Sequence, residues 1–293
     1  MRQLGAGQWP DAKPRFLWLR LKLIKGPTLE EWGWRPGRDT SEVVDRVLEV
    51  ARALAVVHEA RVVHRDVKEA NILVSAEDGQ AVLLDFGVSY YEGAATLTKG
   101  MFPPGTPHYR APEAWAFGRA HAGVAGAHYR AGPADDLYAL GVVLYRLLTG
   151  RFPFRLTDDG GMDVEAVPHR APLPPHLVNP RVPRDVEAVC LRLLAKQPEA
   201  RYPSAVALYE ELETLKAGAN TAWKVPLHGG TRGAGKRWTR WTRWTRWARV
   251  LAGVGVGLAL ALGVLVAHLP PGSGAPGATA GICAGRGRAA RGA

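Results

Sequence analysis

Cysteine is scarce in this sequence: there are two, Cys190 and Cys283. Two thiols so far apart build no disulfide framework, which excludes the small stapled domains of secreted proteins and fits a reducing compartment. Cys190 lies in an apolar helical pattern, VEAVCLRLLA, and reads as an inert core residue. Acidic side chains are missing altogether after Glu213, where residues 214–293 carry 12 Lys and Arg. The net charge of +11 therefore belongs to the tail, since residues 1–213 hold 26 basic and 27 acidic side chains. A near-neutral globular part argues against a nucleic-acid binder with a basic face, and for a tail that meets an anionic surface. The N-terminus, MRQLGAGQWPDAKPR, has no apolar core and does not read as a secretory signal.

What is present begins with a strand pattern over residues 16–24, FLWLRLKLI, ended by Lys25-Gly26-Pro27. Thr28 and Glu31 have the spacing of a capping box that opens a short helix. Residues 41–60 place Val43, Val44, Val47, Leu48, Ala51, Leu54 and Val57 at helical spacing, with Ser41 as the expected N-cap. Apolar runs at 72–74 and 81–84 flank a turn and predict a hairpin. Residues 135–149 read as a buried helix, and 185–196 and 203–216 as amphipathic ones.

Chemistry concentrates in HRDVKEANILV, residues 64–74. Asp66, Lys68 and Asn71 fall within a few positions, and a second acid, Asp85, follows the predicted hairpin. Carboxylates, an amide and an ammonium brought together suit phosphoryl transfer. That reaction needs Mg²⁺ on hard oxygen ligands, cations near the migrating charge and a base for the attacking hydroxyl.

Here the chain resembles the protein kinase family across roughly residues 16–215. His64-Arg65-Asp66 through Asn71 is similar to the catalytic loop, Asp85-Phe86-Gly87 to the magnesium-binding triplet, and Ala111-Pro112-Glu113 to the end of the activation segment. The resemblance implies ATP and Mg²⁺ as cofactors and protein Ser/Thr hydroxyls as substrates. It implies that Asp66 orients the hydroxyl, that Asn71 and Asp85 bind the metal, and that Lys68 neutralises the γ-phosphate. Lys68 and Thr106 favour the serine/threonine type. Lys22-Leu23-Ile24 corresponds to the hinge, Leu21 to the gatekeeper and Leu73 to the floor under the base; Lys22, Ile24, Leu73 and Asp85 are the nucleotide residues. Asp136 is implied to brace the His64-Arg65-Asp66 loop, and Glu113 to pair with Arg201. Thr96 and Thr98 lie where a phosphorylated residue meets Arg65.

The same resemblance exposes a gap. The family's glycine-rich loop, strand lysine and helix glutamate precede the hinge, where only about 20 residues stand here. Gly5-Ala6-Gly7 lacks a third glycine and, as a sequence, lacks strand context. Lys13 is too close to the hinge to leave room for the helix. Two readings stay open: the natural start lies upstream, or the chain is an inactive or partner-dependent kinase-like scaffold. Residues 114–134 read as an Ala/Gly-rich insertion.

The tail holds the one long hydrophobic run, 250–267, with 18 apolar residues and no charge. At about 1.5 Å per residue it matches a bilayer core of about 30 Å. Seven Lys and Arg between 232 and 249 precede it and three follow, so the positive-inside rule places the kinase-like part in the cytoplasm. RWTRWTRWTRW, 237–247, suits anionic headgroups and the membrane interface, so residues 237–249 and the span are expected to meet lipid. Single-stranded nucleic acid is the weaker alternative for the same repeat. Gly253 and Gly257 supply a GxxxG seam for a homodimer. The expected fold class is thus α+β, a kinase-like fold with a mostly helical C-lobe and a truncated β N-lobe, followed by one transmembrane helix at the cell membrane. Its expected parts are 1–26, a remnant of the N-lobe with the hinge; 27–216, the C-lobe; 217–249, a basic linker; 250–269, the span; and 270–293, a disordered tail.

Overall fold

Every residue from Asp136 to Thr149 is buried, and that one stretch organises the domain. The computed structural model describes residues 3–9, 16–86, 89–91, 101–102, 105–154 and 163–228 of the chain. They belong to one unit, residues 1–230, held around a helical core. The remaining predictions, for Lys13, Gly87, Thr96, Thr98, the Trp/Arg repeat, the 250–269 span and the terminal tail, lie outside the described residues. Among the described residues no helix is long and apolar enough to cross a membrane.

The chain opens with an antiparallel hairpin, β1 (Gln3–Trp9) against β2 (Phe16–Leu21). Gly5-Ala6-Gly7 therefore does stand in a strand, opposite Arg20, Leu19 and Trp18, and corrects the expectation of no strand context. Pairing with the apolar β2, which lies too far along the chain to show in a local pattern, makes this strand. β2 stops at Leu21, and residues 22–28 run on without regular structure alongside residues 73–76. The backbone amides of Val74 and Ala76 donate to Pro27 and Lys25 carbonyls at 2.9 and 2.8 Å. Gly26 permits this approach, because a Cβ there would stand 1.9 Å from the Val74 carbonyl oxygen.

Thr28 forms the predicted capping box with Glu31 at the start of α1 (Leu29–Gly33). The next helix, α2 (Thr40–Glu59), is capped by Asp39 rather than Ser41. Asp39 accepts from the Glu42 amide at 2.9 Å and Glu42 reaches back to the Asp39 amide at 3.1 Å, so a carboxylate two positions upstream closes the box. Ser41 is instead buried within the helix.

β3 (Val62–Val63) pairs with β6 (Tyr90–Tyr91), and between them lies the predicted hairpin, β4 (Ile72–Val74) with β5 (Ala81–Leu83). α3 (Pro112–Ala120) leads through turns into α4 (Pro133–Thr149). The short α5 (Ala166–His169) and α6 (Pro175–Val178) precede α7 (Arg184–Leu193) and α8 (Ala205–Ala217). α4 packs against α2, α6 and α7, and α2 against α8. Cys190 is fully buried on α7 beside the Gly141 carbonyl, and burial pushes its thiol pKa up, as an inert core residue requires.

One boundary is corrected. Residues 217–228 are not part of a linker but close the domain. Trp223 is fully buried and its indole N–H donates to Asp185 Oδ2 at 3.0 Å. Leu227 N donates to the Arg38 carbonyl at 2.8 Å, and His228 Nε2 to the Leu147 carbonyl at 2.8 Å. A large aromatic with a polar handle anchors a segment that composition alone assigns to a linker.

Candidate active site

Asp66 is the centre of a cluster contributed by two separate segments. From its own loop, Asn71 Nδ2 donates to the Asp66 carbonyl at 2.9 Å and to its Oδ2 at 2.8 Å, and Lys68 Nζ donates to the same Oδ2. From 40 residues on, the Thr106 amide and hydroxyl donate to Oδ1 at 3.1 and 3.0 Å. Lys68 Nζ also reaches Thr106 Oγ1 at 2.8 Å, tying the two segments directly. Gly105 makes the approach sterically feasible: a Cβ there would lie 2.9 Å from the Arg65 carbonyl oxygen.

A strained backbone holds Asp66 in place. Arg65 has φ of 69° and Asp85 has φ of 65°, a region that costs a non-glycine residue roughly 1–3 kcal/mol. The buried carboxylate of Asp136, at the N-terminal end of α4, supplies the counterforce. Its Oδ2 accepts from the His64 amide at 2.8 Å and lies 2.9 Å from His58 Nε2, and its Oδ1 accepts from the Arg65 amide at 2.8 Å. Because a carboxylate only accepts, His58 Nε2 carries the proton.

His64 fixes the spacing to the second acid. Its Nε2 donates to the Leu84 carbonyl at 2.9 Å while its Nδ1 accepts from the Asp66 amide at 3.3 Å, a pattern that the neutral Nε2–H tautomer satisfies. Its ring meets Phe86 edge-on at 4.8 Å, and the Leu84 amide donates to the Asn71 carbonyl at 2.8 Å. Asn71 and Asp85 are thereby brought side by side in the chain trace. Asn71 uses its Nδ2 on Asp66, which leaves its carbonyl Oδ1 as the atom that could ligate a cation. An amide oxygen and a carboxylate are hard donors that fit Mg²⁺, an ion bound through one or two carboxylates plus substrate phosphates. Among the described residues no cluster of three or more His, Cys, Asp or Glu side chains forms a protein-only metal cage, and a shared site of this kind does not need one.

Of the residues expected to meet the nucleotide, Leu73 pairs with Thr28, four residues after Ile24, and Lys22 forms an ion pair with Glu77 at 3.1 Å. Ile24 and Leu73 are half-buried, whereas Leu21, Leu23 and Phe86 are exposed. Further off, Glu113 and Arg201 form the expected pair, bidentate at 2.8 and 2.7 Å with Arg201 buried.

Several members of this site escaped the sequence reading. His58 is one. Another is a buried network in which Glu69, Tyr109, Arg146 and Glu30 meet. The signal for it was an arginine in the otherwise apolar run of α4, since a buried guanidinium demands partners. A third is Tyr129, whose hydroxyl donates to Asp135 Oδ1 at 3.0 Å and ties the stretch after α3 to the start of α4.

A helical lobe whose central helix braces a loop bearing aspartate, lysine and asparagine, with a threonine delivered from a later segment, defines a protein-kinase-like catalytic lobe. Residues 13–211 match the protein kinase domain family. The serine/threonine-protein kinase Pkn1 of Myxococcus xanthus is 38% identical over 213 residues, 71% of this chain and 29% of that protein. PknA of Mycobacterium tuberculosis is 33% identical over 209 residues, 71% of this chain and 45% of that protein. PrkC of Bacillus subtilis is 33% identical over 198 residues, 66% of this chain and 28% of that protein. The chain thus spans less than half the length of these curated relatives. It belongs to the protein kinase family.

Proposed function

We propose that this chain is a serine/threonine protein kinase that transfers the ATP γ-phosphoryl group to Ser or Thr hydroxyls of proteins, anchored in the cell membrane through residues 250–269 with its catalytic domain in the cytoplasm. The observation that carries the catalytic part is the convergence of Asp66, Lys68, Asn71 and Thr106. The names of the relatives favour the same substrate class.

Asp66 accepts from the incoming hydroxyl and orients it. Thr106 and Lys68 hold the Asp66 carboxylate from both oxygens, so its direction is set before substrate arrives. Lys68, already bridging Asp66 and Thr106, is the cation available to the phosphoryl oxygens. Asn71 Oδ1 and Asp85 would hold Mg²⁺, which when bound with ATP would neutralise charge on the phosphates. Ile24 and Leu73 give the base an apolar seat beside the hinge. For the membrane part, the support is the 18-residue apolar run and the excess of Arg and Lys before it.

A second reading is favoured by the exposure of Leu21 and Leu23, 39% and 77%, on the hinge side. In it, another chain covers the nucleotide side and the module works as a partner-dependent enzyme or a scaffold. Phosphotransfer from labelled ATP and Mg²⁺ to a Ser/Thr peptide library decides between the two. Turnover by the purified chain that falls about 100-fold or more in Asp66→Asn supports the enzyme. Turnover that Asp66→Asn leaves unchanged rejects the assigned role, and no turnover without an added partner supports the second reading.

A further inference from the structure

The catalytic loop is held at two points by the same helix, at Asp136 and at Arg146. Glu69 stands between Lys68 and Asn71 on a 3₁₀ turn. Its neighbours turn their side chains to Asp66, while Glu69 is itself buried, with 2% of its surface exposed. There its Oε2 accepts from Arg146 Nη1 at 2.8 Å and from the Tyr109 hydroxyl. Arg146 also reaches the Tyr109 oxygen, and its Nη2 donates to Glu30 Oε1 of α1 at 3.1 Å. Phe152 lies under the guanidinium at 4.3 Å, meets Tyr109 edge-on at 5.8 Å and stacks on His108 at 4.7 Å.

The placement matters more than the number of bonds. Asp66, Lys68 and Asn71 come from one segment and Thr106 from another. Each segment sends one further side chain, Glu69 from the first and Tyr109 from the second, to the same guanidinium. Tyr109 is rigidly linked to Thr106, because its amide donates to the Thr106 carbonyl at 3.1 Å. Arg146 lies ten residues after Asp136 on α4, about 15 Å along the helix. Asp136 therefore fixes the start of the catalytic loop, and Arg146 fixes its end together with the Thr106 segment. Burial raises the pKa of Glu69 and the Arg146 charge opposes that rise. Its other oxygen, Oε1, is buried without a hydrogen-bond partner, so the charge of Arg146 is the main compensation for this carboxylate.

We infer that Glu69, Tyr109 and Arg146 are positioning residues that set the register between the Asp66–Lys68–Asn71 loop and the Thr106 segment. The catalytic consequence rests on the kinase reading above; the mechanical one does not. Without the node, only the part-buried contacts of Asp66 and Lys68 with Thr106 hold the two segments in register, and a misplacement on the order of 1 Å at a reacting group lowers turnover by about 100-fold.

The test uses the full chain and three variants: Glu69→Ala, Glu69→Gln and Tyr109→Phe. Backbone hydrogen exchange is followed at residues 66–71 and 105–110, with α7 and α8 as internal references. Kinetics with ATP and a Ser/Thr peptide run in parallel. The expected result for Glu69→Ala is exchange at least tenfold faster in the two segments, unchanged exchange in α7 and α8, and kcat down about 10- to 100-fold with KM for ATP unchanged. Glu69→Gln, which keeps the shape and an acceptor, recovers part of both. Tyr109→Phe removes one hydroxyl and serves as the readout where Glu69→Ala fails to fold; it is expected to loosen 105–110 more than 66–71. Exchange that rises equally in α7 and α8 across the variants, or that stays as in the native chain in both segments, overturns the inference. If the native chain shows no phosphotransfer but the local exchange responds as expected, the kinase reading fails and the node stands.

Discussion

At the scale of single residues, the site is built by carboxylates in contrasting surroundings. Asp136 is buried but satisfied by three donors, and it supports a strained backbone at Arg65. Its neighbour Asp135 is a different case. Burial, reinforced by Glu113 and Asp136, lifts its pKa from the ordinary carboxylate range to about 7, against the opposing hydrogen bonds of Gly132 and Tyr129. A raised folded-state pKa means that the folded chain holds this proton more tightly than the unfolded chain. The stabilisation is complete below the unfolded value near 4 and is lost as pH rises toward 7. Asp135→Asn keeps an acceptor for Tyr129 and removes the titration. Denaturant unfolding of both proteins between pH 4 and 8 should show the native chain losing stability relative to the variant as pH rises. A difference that stays constant with pH would remove Asp135 from this role.

At the scale of elements, capping boxes and alternating runs were legible because they are local. Thr28 with Glu31 and the β4–β5 hairpin formed as their spacing predicts. The cap of α2 was misplaced locally, because Asp39 two positions upstream outcompetes Ser41 once Glu42 completes its box. Other differences arose where another segment decides: β1 exists because β2 pairs with it. The 219–228 segment is the clearest case. Gly, Asn and Thr around it resemble a linker, yet Trp223 enters the core next to α7. Truncating a buried tryptophan costs about 3–5 kcal/mol. Trp223→Ala should lower the unfolding free energy by that amount in a urea titration. A loss under about 1 kcal/mol would mean that the segment is only laid on the surface.

At the scale of the whole molecule, charge is divided unevenly along the chain. The part up to Glu213 is near neutral and the tail carries the excess of positive charge ahead of the apolar run. On the proposed reading the tail lies at and in an anionic bilayer, with the catalytic lobe tethered close by. Fractionation of host membranes checks this: the chain should stay in the pellet through alkaline carbonate extraction. Release by high salt alone would leave an electrostatic surface contact and reject the span.

What the sequence by itself determined is the chemistry and its order along the chain. Asp66, Lys68 and Asn71 lie within six positions, so one short loop brings them together in nearly any compact fold. Asp85 and the Glu113–Arg201 pair were reachable only because the kinase resemblance supplied the long-range pairing that spacing does not. Tertiary structure alone decided which distant side chains complete the loop. The arrival of His58 at Asp136, the meeting of Glu69 and Tyr109 on Arg146, and the closure of the domain by Trp223 all join residues far apart in sequence. Local propensity carries no information about such contacts. They form because burying a charge or a large aromatic ring is favourable only where the folded chain offers a partner or a cavity of the right shape.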